Sequence, residues 1–141
     1  MSVPILRLFF DTDAILAGSA STRGAAHVLL RLVEIGIVDG ITCAHVRDEA
    51  LHNMARKLPR AGPLLEALLQ DVLTVIPDVQ GETQDPVHEK DRPVWLAFQK
   101  SGARYLVTFN VRDHPRVSAV RTPGDIVGEI RAALGRMSGA P

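Results

Sequence analysis

The chain has 141 residues, 16 basic against 16 acidic, 46% hydrophobic residues and 4% aromatic ones, and one cysteine, Cys43. This length suits one domain over residues 1–141, with a core of Leu, Val, Ile and Ala that fits an α/β fold better than an aromatic-rich sandwich. Zero net charge excludes the globally basic surface of a strong non-specific nucleic-acid binder, and a lone cysteine excludes a disulfide framework or a multi-cysteine zinc site.

Val3 to Phe10 reads as a largely buried strand interrupted by Arg7. Gly18 to Gly24 reads as a small-residue loop. A helix is expected over Ala25 to Ile35, with Ala26, Leu29, Leu30 and Val33 on one face, Ser21 or Thr22 as N-cap and Gly36 as the stop. Ile37 to Ala44 returns as a strand. His45 to Leu58 is a helix with a stripe of Val46, Ala50, Leu51 and Met54, ended by Pro59. Pro63 to Leu73 forms another helix and Leu73 to Ile76 a short strand. Asp78 to Lys90, polar and carrying Gly81 and Pro86, reads as a surface loop. Asp91 takes an N-cap position with Pro93 in the first turn of a helix running to Gly102. Tyr105 to Thr108 is a strand, Arg116 to Val120 a short last strand, and Pro123 opens a terminal helix through Leu134.

Strands alternating with helices predict a parallel sheet covered on both faces. Ligands of such sheets sit at the carboxyl ends of the strands. Asp11, Asp13 and the Asn110 to Asp113 segment follow predicted strands, and Glu49 and Asp91 lie on helices that begin at that same end, so one sheet edge collects them all. Acids at the end of an apolar run are costly without a cation. A set of carboxylate and amide oxygens with no cysteine suits Mg²⁺ or Mn²⁺, ions that lower the pKa of water and stabilise charge on a phosphoryl group. The reaction class this favours is metal-assisted phosphodiester hydrolysis.

Each residue also has a plainer role to be weighed: Asp11 in a turn, Asp13 or Asp91 as a simple N-cap, Glu49 as a solvated helix residue, and Asn110 with Asp113 in an Asx-type turn. Thr108 either orients a carboxylate through its hydroxyl or is an ordinary β-branched strand residue. His45, His52, His88 and His114 lack the spacing of a zinc motif and are assigned to surface or packing.

Taken in order, FFDTDAIL, the helical acid of RDEAL, DRPVWLAFQKSGARYLVTFNVRDHP and the closing TPGDIV resemble the PIN domain, the ribonuclease fold of many bacterial toxins from toxin and antitoxin operons. The resemblance spans nearly the whole chain and is most specific from Asp91 to Pro115. It implies a three-layer α/β/α fold with a central parallel sheet and an Mg²⁺- or Mn²⁺-dependent endoribonuclease. Asp11, Glu49, Asp91 and Asp113 are the implied catalytic acids, and Asp11, Asp91, Asn110 and Asp113 the metal ligands, with Asp13 and Thr108 supporting. Two departures stand out: Asp13 replaces a usual Asn, and Asn110 holds a position that is often acidic, leaving Asp113 as the nearest carboxylate. Arg47, Arg56, Lys57, Arg60 and Arg112 are candidates for a track along an RNA backbone, and Arg47, Arg56 and Arg112 are the ones singled out.

The same resemblance implies an RNA substrate, an antitoxin partner and a homodimer. With no signal-peptide pattern and no bilayer-spanning run, a cytoplasmic protein without membrane contact is expected. Two other readings use the same residues. One is a PIN-fold binding module whose metal site Asn110 has weakened. The other is a haloacid dehalogenase-like phosphatase, which also opens on Asp-x-Asp but wants glycine where this chain has Ala14.

Overall fold

The computed structural model describes residues 5–137. It contains five strands, β1 (Arg7–Phe10), β2 (Asp39–Cys43), β3 (Thr74–Ile76), β4 (Tyr105–Val107) and β5 (Val120–Arg121). The helices are α1 (Thr12–Ala20), α2 (Ala25–Glu34), α3 (Ala44–Lys57), α4 (Gly62–Ala67), α5 (Arg92–Ser101) and α6 (Pro123–Met137). All strand pairs are parallel, in the order β3-β2-β1-β4-β5. The chain therefore builds outward from β1 to β3 on one side, then crosses back to place β4 and β5 on the other. The order reverses between β1 and β4, where an open α/β sheet leaves a crevice at its carboxyl edge.

Leu8, Phe9 and Phe10 are consecutive and all fully buried. Side chains alternate faces along a strand, so both faces of the sheet are covered and the fold is a three-layer α/β/α arrangement. Tyr105, Leu106 and Val107 repeat the pattern on β4. Helix α5 brings Phe98 edge-on to Phe9, with ring centroids 6.2 Å apart. Among the described residues no helix is long and apolar enough to cross a membrane.

The expected helix face of α2 is the one buried: Ala26, Leu29, Leu30 and Val33. Helix α3 likewise buries Val46, Ala50 and Met54 and stops before Pro59. Several boundaries differ from the expectations. Strand β1 begins at Arg7, and Val3 and Pro4 lie outside the described residues. The first half of the expected Gly18 to Gly24 loop is helix, because α1 runs through Ala20. Its small residues serve packing: a Cβ on Gly18 would come within 2.5 Å of Leu30 Cδ1, and Ser19 returns its hydroxyl to the Ile15 carbonyl at 2.8 Å. Gly24, not Ser21 or Thr22, is the N-cap of α2, with φ of 105°. The Pro63 to Leu73 helix divides into α4 and a π-helical stretch, Leu68–Val72. The last strand begins only at Val120, four residues later than expected.

Candidate metal centre

Asp11 follows β1, and its backbone N–H donates to the Val107 carbonyl at 3.0 Å, which fastens the end of β1 to the end of β4. Asp11 is the N-cap of α1, and Asp13 lies in the first turn of the same helix, where the amide dipoles favour carboxylates. Across the reversal point Thr108 follows β4, and a 3₁₀ turn, Val111–Asp113, carries the chain past it. The third contribution comes from α5, whose N-cap is Asp91 with Pro93 in the first turn. The fourth is α3, whose first N–H groups are met by a loop residue: His45 N–H donates to Asp78 Oδ1 at 2.8 Å.

These elements enclose a cleft of about 330 Å³ into which Asp11, Asp13, Glu49, Asp91, Asn110 and Asp113 all project. All six acid and amide positions read from the sequence thus share one crevice. Thr12, Leu16, Asn53, Lys57, Lys90 and His114 complete its lining. A larger cavity, about 420 Å³, lies under the Asp78 to Glu89 loop, but its Arg92 is paired with Glu82 and Glu89 and the acids do not converge there.

Hydrogen bonds fix two of the carboxylates, Asp11 and Asp13. Asp11 Oδ1 accepts from Thr12 N–H at 2.8 Å, and Oδ2 accepts from the Thr108 hydroxyl at 3.0 Å and lies 3.2 Å from His114 Nε2. Asp13 Oδ2 accepts from Phe109 N–H at 3.1 Å and from the Asn110 amide at 2.9 Å. Thr108 is fully buried and accepts from Asn110 N–H at 3.1 Å. Its hydroxyl is therefore a bridge between the two carboxylates as well as a strand-end residue. Asp13, read as a candidate N-cap, leaves capping to Asp11 and instead ties down the turn after β4.

Three groups in the cleft carry the cost of this arrangement. Burial and the charge of Asp11 push the Asp13 carboxyl up to about 6. Burial raises Asp91 as well, His114 opposing it and Asp113 and Asp11 adding to it. Burial alone would depress His114, but its hydrogen bond to Asp11 and the charges of Asp11, Asp91 and Asp113 leave it raised.

The plain N-cap reading of Asp91 does not describe what its side chain does. It makes no capping hydrogen bond, and its Oδ2 is buried without a partner. Thr12 Oγ1 and His114 Nδ1 are buried and unpartnered too, so three of the four such atoms among the described residues belong to this cleft. Unmet polar atoms of this kind gather where a further ligand belongs. The donor chemistry, carboxylate and amide oxygens, suits a hard divalent cation. Among the described residues no three Asp, Glu, His or Cys side chains are drawn together into a ready-made shell. Like charges in one cleft repel.

Glu49 is half-exposed on α3 and, among the described residues, is paired with His45 Nε2 alone, at 3.8 Å. The three arginines offered for RNA lie off the cleft: Arg47 pairs with Asp48 at 3.0 Å beside Glu66 and Gln70, Arg56 is exposed, and Arg112 faces Pro115 and Val117. The cleft's cations are Lys57 and Lys90. His114, assigned to surface or packing, is 3% exposed and borders the acids. Lys57 is among the basic residues read from the sequence, and Asn53 was within reach of it, since it follows Glu49 by four residues on the same helix. Nothing in the spacing of His114 marked it.

No family model matches the chain, and no curated protein matches it significantly. Among solved structures it is similar to the crystal structure of VapC20 from Mycobacterium tuberculosis, a Sarcin-Ricin loop cleaving toxin, with 18% identity and a TM-score of 0.49 over 70% of this chain and 86% of that one.

Proposed function

We propose that this chain is a PIN-type endoribonuclease that depends on Mg²⁺ or Mn²⁺. The observation that carries the reading is Asp91 Oδ2, a buried carboxylate oxygen with no partner, in a cleft shared with Asp11, Asp13, Glu49 and Asp113 at the carboxyl edge of the sheet. Asp11, Asp91, Asp113 and Asn110 would hold the ion, which when bound lowers the pKa of water and offsets charge on a phosphoryl group. Thr108 holds Asp11, and Asp13 holds Phe109 and Asn110, so the turn that carries Asp113 is anchored to the first helix. Glu49 stands at the rim, half-exposed and paired with His45. Lys57 and Lys90, rather than Arg47, Arg56 and Arg112, meet the RNA phosphates beside the acids.

The resemblance of the sequence to PIN toxins extends the proposal to one domain over residues 1–141, a homodimer, an antitoxin partner and a cytoplasmic location. The test is cleavage of RNA by purified protein in Mg²⁺ and in Mn²⁺, compared with Asp11→Asn. Equal rates for the two proteins refute it. RNA binding that persists in chelator, with no cleavage in any divalent metal, favours a binding module instead.

A further inference from the structure

We infer that His114 is a positioning residue for Asp11, its Nε2–H fixing the carboxylate that receives the divalent cation. The inference rests on the metal-dependent reading above and assigns the histidine a part in it. Asp11 Oδ2 has two side-chain donors within reach, Thr108 Oγ1 at 3.0 Å and His114 Nε2 at 3.2 Å. Thr108 has one hydroxyl proton, and its oxygen also lies 3.3 and 3.4 Å from the two oxygens of Asp13. Its donation is therefore contested between two carboxylates. His114 is the side-chain donor that Asp11 does not share with Asp13.

A carboxylate only accepts, so the hydrogen bond places the proton on Nε2. The other ring nitrogen, Nδ1, is buried with no partner, and the whole residue is 3% exposed. Burying an imidazole to satisfy one of its two nitrogens is a poor exchange for stability alone. A packing role would be served as well by an apolar ring. The burial does have one mechanical effect: His114 and the following Pro115 are both buried, which restricts the ring and with it the oxygen it holds. Partners of this kind orient a ligand and set its basicity, and their loss typically lowers metal affinity 10- to 100-fold.

The decisive part of the first measurement uses the parent protein alone. Long-range ¹H–¹⁵N correlation spectra of the metal-free protein should show His114 carrying a proton on Nε2, with that proton's shift moving in Asp11→Asn; a neutral ring protonated only on Nδ1 overturns the inference. The second is calorimetric titration of Mn²⁺ into the parent, His114→Phe, His114→Gln and Asp11→Asn. His114→Phe should bind about 10- to 100-fold more weakly, and His114→Gln, which keeps an N–H donor near the Nε2 position, should recover most of the loss. Parent-like affinity in His114→Phe, or a glutamine variant as weak as the phenylalanine one, overturns the positioning role while leaving the metal site standing. Parent-like affinity in Asp11→Asn is the different result that removes the metal reading, and with it any ion for His114 to serve.

Discussion

Asp13→Asn should make the protein more stable at neutral pH, and the size of the gain follows from the cleft. In the folded chain the Asp13 carboxyl is pushed from 3.8 to about 6 by burial and by Asp11. At 1.36 kcal/mol per unit this is about 3 kcal/mol against ionising it in place, which the cleft's opening to solvent reduces to about 2. Because the folded-state value lies above the unfolded one, the folded chain holds the proton more tightly. The contribution to stability is full below about pH 3.8 and is lost as pH rises through about 6. Asparagine has no such proton. Its Oδ1 still accepts from Phe109 N–H, and Asn110 can turn its amide to match, at a cost of about 0.5–1 kcal/mol. The net expectation is a gain of about 1–2 kcal/mol above pH 7, or roughly 3–8 °C in melting temperature for a chain of this size. Urea unfolding followed by circular dichroism, in chelator, at steps from pH 4.5 to 7.5 reads this directly as a widening gap between variant and parent. A variant less stable than the parent by the same margin throughout would refute the reasoning, because Asp13 would then be a hydrogen-bond anchor and not an electrostatic burden.

Thr108→Val keeps the shape of a fully buried residue but leaves Asn110 N–H and Asp11 Oδ2 each short of a partner, so urea unfolding should show a loss of about 2–3 kcal/mol; a loss under about 0.5 kcal/mol contradicts the bridging role. Asp91→Asn should leave the melting temperature unchanged or higher while RNA cleavage falls at least about 100-fold, about 2.7 kcal/mol at the transition state, and a fall in both together would point to misfolding instead. Gly40→Ala places a Cβ 2.7 Å from Leu73 Cδ2 and 2.8 Å from Val33 Cγ1 between β2 and its covering helix, and should cost about 1–3 kcal/mol by thermal melting.

The features that could be read from the sequence are those written in local periodicity. The apolar faces of α2 and α3 and the buried runs of β1 and β4 recur at the spacing that their own backbone geometry imposes. Asp11 and Asp13 were found because a charge at the end of an apolar strand is visible within ten residues, whereas Glu49 and Asp91 were placed by the helices they lie on and by the resemblance. Helical geometry relates the α3 residues to the cleft. At about 100° per residue, Glu49 stands on one shoulder of the buried stripe of Val46, Ala50 and Met54, and Asn53 and Lys57 each advance about 40° toward it, whereas Arg47 falls on the other shoulder; Arg56 shares the side of Glu49 but lies about 10 Å further along the helix. Where local pattern misled, long-range packing had set the outcome. Gly18 looks like loop composition and is a contact point for Leu30.

The same limit applies more strongly to the donors around each carboxylate. Thr108 meets Asp11 across 97 positions of chain, Asn110 meets Asp13 across 97, and His114 meets Asp11 across 103. Such partners are chosen by the β1 to β4 pairing, which no window of sequence contains. A lone histidine between Asp113 and Pro115 has no local signature of burial, and only the folded sheet brings it to Asp11. Some of the acids that line a cleft are thus legible from those that end the strands. How firmly each acid is held, and at what electrostatic cost, is decided by residues that the sequence places farthest from it.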